Sequence, residues 1–337
     1  MSNAKMVSLK STRFASLEQA EEYVNRFSIT DKVVACRDMQ FKNGLIQIGN
    51  QEMPFTANGW RAFLSEVVPG ASRFLNSEDC PQDLAEQVVN RMLSEKSDMK
   101  RMVRIEQDNG AQPYLKAFLS EGYRPYNNKQ FVAEIKKNIA GKEDEFKVLR
   151  PSVSGGTFSV NLLNHKQKIT LQDGEKNRSI FLGVNYRNGE DGGASVSRLP
   201  FSFDRFCENG TIFGRKFIEA VAKRVVHRGA DIADRVLEII GKADNSALDV
   251  LRKSYVNLMN TMMTQLYFKH VAERAIYPMK VMPQRDFIEA IPFDGSESRF
   301  GFFNRINEYA HTGNHDEEKR MEFERLAGMV VEENLIS

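Results

Sequence analysis

Residues that form disulfides or bind metals are scarce in this chain. Three cysteines occur in 337 residues, Cys36, Cys80 and Cys207. They form no CxxC pair and no even-numbered set, which excludes a disulfide framework and predicts free thiols in a reducing cytoplasm. Five histidines are present. His311 and His315 stand four apart, but Gly313 and Asn314 between them predict a turn, so no metal centre is expected. No apolar run approaches ~20 residues, so no membrane span is expected. The opening "MSNAKMVSLKSTRF" has no apolar core of signal-peptide length. Neither charge sign dominates: 47 Lys and Arg face 45 Asp and Glu, a net of +2. Contact with a polyanion must therefore be local.

Reaction signatures are missing too. There is no G-x-S-x-G and no cysteine in an activating context. "CENGTIFGRK" (207–216) departs from a phosphate loop: its glycines are too close, Arg215 replaces Lys, and no Ser or Thr follows. The tripeptides "EIK" (134–136) and "EFK" (145–147) match part of a metal-dependent nuclease pattern, a weak signal for such an enzyme. No catalytic residue, cofactor or metal is assigned, and a non-enzymatic role is the stronger expectation.

What is present is an ordinary globular composition, 41% hydrophobic and 27% charged. "SLEQAEEYVNRFSI" (16–29) reads as a Ser-capped helix. "DKVVACRDM" and "GLIQIGNQEMPFT" read as strands about the turn "KNG". "TANGWRAFLSEVV" and "CPQDLAEQVVNRMLSEKS" read as helices, the second with Leu84, Val88 and Leu93 on its apolar face. "KRMVRIEQD" and "YLKAFLSEGY" return to strand, and "YNNKQFVAEIKKNIAGKEDE" reads as a helix ending near Gly141. Short strands over 145–204 predict an antiparallel sheet. Helices are expected over 214–229, 230–242, 245–276, 283–291, 297–311 and 316–334. The fold class is α+β: a central antiparallel sheet with packed helices and a mostly helical C-terminal third. Three regions are expected: 1–140 as α+β, 141–229 as sheet plus basic helix, and 230–337 as helical.

The 214–228 helix gathers Phe217, Ile218, Val221, Ala222, Val225 and Val226 on one arc and a basic set on the other. Arg205, Arg215, Lys216, Lys223, Arg224 and Arg228 outnumber Glu208 and Glu219, an excess suited to phosphates. On charge alone, a solvated outer face is the stronger reading. Further basic residues lie in 96–104, 129–137 (with Lys129) and 164–168. Interleaved aromatics suit single-stranded nucleic acid. For any one of them a core position is the better expectation, but Tyr123 and Tyr126, in "GYRPYNN", are expected to be exposed. The leading expectation is a single-stranded DNA-binding protein. The alternative is an oligomeric interaction protein, built on the Met- and aromatic-rich 245–276 helix.

Near the C-terminus, "FGFFNRINEYAHT" (300–312) carries Phe300, Phe303, Ile306 and Tyr309 on one face and ends at Gly313. A core helix is expected there, in which a buried Asn would need partners. This segment, together with "EGYRPYNNKQFVAEI" (121–135), "FCENGTIFG" (206–214) and "VVHRGAD" (225–231), resembles the phage/plasmid-like protein family of unknown function. Phe303 and Arg305 flank Asn304 where the family pattern has Trp or Tyr and Ala. The resemblance implies DNA replication or recombination in a host-cell cytoplasm, and brings no catalytic residues. The element order over 126–228 is also similar to that of single-strand annealing proteins, a likeness of fold alone.

Overall fold

Local signals set the first half of the chain. The computed structural model describes residues 3–77, 79–173, 176–204, 209–212, 223–225, 227, 247–276 and 282–333. Strands β1 (Met6–Val7) and β2 (Thr12–Arg13) precede helix α1 (Leu17–Asn25), capped by Ser16, whose Oγ accepts from Gln19 N at 3.4 Å. Then come β3 (Phe27–Ala35), β4 (Met39–Lys42), β5 (Leu45–Ile48), β6 (Gln51–Met53) and β7 (Phe55–Thr56). Asn43 and Gly44 join β4 to β5 with φ of 52° and 77°, a left-handed pair that Asn-Gly adopts readily. Helices α2 (Ala57–Val67), α3 (Ser72–Leu75) and α4 (Gln82–Glu95) lead to β8 (Lys100–Asp108), β9 (Tyr114–Ser120) and helix α5 (Asn128–Ile139). On α4 the buried stripe is Ala85, Val89 and Leu93, while Leu84 is exposed. Leu93 is buried and Val88 packs on the core as expected, and only Leu84 turns outward, because stepping back by four from Leu93 gives 89 and 85.

Four strands follow: β10 (Phe146–Ser154), β11 (Thr157–Asp173), β12 (Lys176–Gly189) and β13 (Val196–Asp204). They pair antiparallel in sequence order, as expected for 145–204. Two short strands, β14 (Asn209–Ile212) and β15 (Lys223–Val225), both pair with β13. The helix expected over 214–229 is thus corrected at its end: Lys223 lies opposite Arg198 and Arg224 opposite Ser197 in a ladder. An edge of β13 takes this stretch, where the run of two valines after Arg224 suits a strand as well as a helix. Apart from His227, the rest of that expected helix, and 230–242, lie outside the described residues.

The C-terminal part is helical: α6 (Ala247–Asn260), α7 (Gln265–Ile276), α8 (Gln284–Ala290), α9 (Arg299–Thr312) and α10 (Glu317–Glu333). The single helix expected over 245–276 is two helices. Thr264 starts the second by accepting from Tyr267 N at 3.2 Å, and Met262 bridges to Ser298 across the break.

Sheet one has the order β1-β7-β9-β8-β3, and sheet two the order β14-β13-β12-β11-β10-β2. The fold is α+β. Helices α2 and α4 cover one face of sheet one with Trp60, Phe63 and Val89. Helices α1 and α5 pack on sheet two through Leu17, Phe131 and Ile135. The C-terminal helices close over the β11–β12 hairpin, where Phe302, Phe323 and Val330 meet Leu171 and Ile180. Helix α9 is the expected core helix: Phe300, Phe303 and Ile306 are buried, and buried Asn307 donates from Nδ2 to Thr211 Oγ1 at 3.2 Å. Among the described residues, no helix is long and apolar enough to cross a membrane.

Candidate functional site

Alternation along two strands builds the site. On β8, Val103 and Ile105 point into the core under α2 and α4, so Arg104 and Glu106 point the other way, toward sheet two. On β9, Leu115 faces that core, while Tyr114 and Lys116 join Glu106 on the opposite side. Charge is thereby placed where two sheets meet, and all of it is buried.

Each group finds partners. Lys116 Nζ donates to Glu106 Oε1 at 2.6 Å and to Glu190 Oε2 at 2.5 Å. The other Glu106 oxygen accepts from Tyr114 OH, and the other Glu190 oxygen from Asn128 N, at the start of α5, at 2.5 Å. Arg104 donates from Nε and Nη2 to the two oxygens of Asp31 at 2.8 and 2.9 Å, and from Nη1 to the Glu190 carbonyl at 3.1 Å. Burial pulls the Lys116 ammonium down, but Glu190 and Glu106 more than offset it and hold it above the usual lysine value. Tyr114 is pushed up by burial and then by Glu106, so its hydroxyl stays a donor. Lys116 is a fixed charge, not a titrating base.

On one side of this cluster is a cleft of about 220 Å³, walled by Tyr23, Val24, Phe27 and Ile29 and floored by Glu106, Lys116 and Glu190, with Lys129 also lining it. A second cleft, of about 330 Å³, lies between Glu66, Phe118, Leu119, Tyr123, Ser195 and His227. A third space, of about 170 Å³, shares Ala194 and Ser195 with the second and is lined by Arg187, Arg325 and Ser197. The turn 190–195 shapes both: Asp191 accepts from Gly193 N at 2.9 Å and from Asn58 Nδ2, on α2, at 2.6 Å, and Gly192 takes φ of 80°.

His227 dominates the second cleft. It is 5% exposed, and its ring stacks on Tyr123 with centroids 5.0 Å apart and planes 11° from parallel. Its carbonyl accepts from Arg124 N at 2.9 Å. Neither ring nitrogen makes a hydrogen bond of good geometry among the described residues, although the Arg124 backbone lies near enough to favour the protonated ring. Burial lowers its pKa to about 4, so the ring is neutral at physiological pH. An unpaired buried polar group costs ~1–3 kcal/mol, and two in one ring call for a ligand or an ordered water.

The expected site residues fare unevenly. Tyr123 and Tyr126 are corrected from exposed to buried, at 7% and 4% exposure. Tyr123 stacks on His227, and Tyr126 meets Phe131, its pKa pushed up to about 12 by burial and then by Glu134. Lys129 is exposed at the first cleft. Lys223 and Arg224 lie on β15, and only their backbone is described. Arg205, Arg215, Lys216 and Arg228 lie outside the described residues. The flanking basic groups are largely paired: Arg101 with Glu66, Lys136 with Glu21, and Lys166 with Glu145. The two E-x-K tripeptides serve such pairs, Lys136 on α5 reaching α1 and Glu145 meeting Lys166. His311 and His315 do not converge: His311 sits beside Glu324 at 3.4 Å, and His315 packs on Tyr309 and Phe323. Among the described residues no three His, Cys, Asp or Glu side chains form a set that could hold a metal.

Sequence reasoning missed Glu106, Lys116, Glu190, Arg187 and Arg325. A signal existed for the first two, since "RIEQD" and "YLK" alternate charge with apolar residues. Glu190 comes from a distant hairpin and had none. The chain matches no known family model, no curated protein and no solved structure.

Proposed function

We propose that the protein is a non-enzymatic binder of single-stranded nucleic acid, with DNA as its first candidate. One observation carries the reading: a cleft with two guanidiniums, Arg187 and Arg325, and the Ser195 hydroxyl residue opens beside a larger cleft of mixed lining. Arginine and serine at a glycine-containing turn suit a phosphate, and an adjoining space with aromatic walls suits the base attached to it. Arg325 is held by Glu322 at 2.9 Å, which orients it without burying it. The resemblance to the phage/plasmid-like family supports a place in replication or recombination. Fluorescence anisotropy with a labelled oligothymidylate tests this. Affinity falls steeply between about 50 and about 200 mM salt, and Arg325→Gln lowers both the affinity and the salt slope, the latter by about one. No binding at the lower salt rejects the reading.

A second reading, a self-associating interaction protein, is favoured by Val256, Met262 and Leu266, which are exposed on and between α6 and α7. Light scattering that gives a monomer at micromolar concentration removes it.

A further inference from the structure

The charge cluster and the arginine-lined space leave His227 unused. Among the described residues His227 is buried, stacked and without a well-formed hydrogen bond on either ring nitrogen, and it borders the largest of the three clefts described above. A group entering that cleft would supply the partner that the described residues do not. A neutral imidazole offers one N–H and one lone pair, and can exchange them between its nitrogens. It therefore suits a ligand edge that carries donors and acceptors side by side. Phe118, Leu119 and the Tyr123–His227 stack give the same cleft apolar and π surfaces, which suit a flat ring. Ala194 and Ser195 separate this space from the one lined by Arg187 and Arg325. A ring and a phosphate can thus be held by adjoining spaces, as in a single nucleotide.

We infer that the cleft beside His227 is a base-acceptance pocket, in which one unstacked nucleobase of a bound strand packs on the apolar walls and is hydrogen-bonded at its edge by the imidazole. This rests on the nucleic-acid reading above and adds a base-dependent contact to a charge-dependent one. Because the imidazole can present either a donor or an acceptor, the pocket takes any base that fits and does not select a sequence. Ring neutrality makes the contact insensitive to pH over the physiological range.

The test compares oligothymidylate with the same backbone made of abasic residues, and with thymidine monophosphate, on the full chain and on His227→Phe. The Phe ring keeps the stack but removes both nitrogens. Oligothymidylate is expected to bind at least ~10-fold tighter than the abasic strand. His227→Phe should erase that difference and leave abasic affinity unchanged. Leu119→Trp, at a residue that lines this cleft and not the arginine-lined space, should do the same and serves if the Phe variant does not fold. Equal affinity of both strands for the wild type, or an unchanged preference in a folded His227→Phe, overturns the pocket and leaves the strand-binding reading standing. Monophosphate binding that depends on His227, with neither strand binding, supports the pocket and rejects the strand reading. Binding of none of the three overturns both.

Discussion

At the scale of single residues, Lys116 is the most exacting position. Its two carboxylates were drawn from different sheets, and each of their oxygens has one donor. Removing the ammonium leaves two buried negative charges facing each other. Lys116→Met is therefore expected to lose about 3–5 kcal/mol of stability, measured by urea unfolding. A Lys116→Met, Glu106→Gln double variant should recover part of that loss, since one of the stranded charges is gone. If Lys116→Met costs nothing, the carboxylates are not charged in the fold. Tyr123 teaches the opposite lesson. In "GYRPYNN" it reads as a surface aromatic, because Gly, Pro and Asn mark turns. The turn is there, yet the ring is covered by His227, a residue more than a hundred positions away in sequence. Turn chemistry reports backbone direction; it says nothing of what a distant segment lays on top.

Among elements, α2 shows how a helix sets the site. Thr56 caps it, with Gly59 N donating to Thr56 Oγ1 at 3.0 Å. Gly59 lies against β9 so closely that an added Cβ would stand 2.6 Å from the Leu115 carbonyl and 3.0 Å from that of Lys116. Alanine is favoured over glycine inside a helix by about 1 kcal/mol. Even so, Gly59→Ala is expected to destabilise by ~1–3 kcal/mol, because the helix must lift off the strand that carries Lys116. A rise in melting temperature would show that α2 does not press on β9. Helix propensity alone makes Gly59 a weak point, whereas packing makes it a requirement. On β15 the competition runs differently. A short stretch with both helical and extended tendencies took the form that satisfied the open edge of β13.

For the whole molecule, buried histidines tie stability to pH. His227 and His311 titrate at about 4 and about 3 in the fold, both lowered first by burial, against 6.5 when unfolded. The unfolded chain therefore binds more protons between these values. Stability is fully present above about 6.5 and falls as pH drops toward 4, by up to ~1.4 kcal/mol per pH unit for each ring. Glu324, which faces His311 and Arg150 and is raised by burial, works in the opposite sense. His227 lies away from that carboxylate, so His227→Phe should flatten the denaturation midpoint between about pH 6.5 and about pH 4.5; an unchanged profile would mean that the ring is not buried neutral. Much of this molecule follows from local pattern. Ser16 and Thr56 as caps, the Asn-Gly turn, the antiparallel run over 145–204 and the apolar face of α9 are short-range effects of backbone and side-chain chemistry, readable one segment at a time. The clefts are not of that kind. Lys116 meets Glu190, and His227 meets Tyr123, only because two sheets approach and a late segment folds back, and such meetings depend on the sum of long-range packing that no local stretch encodes.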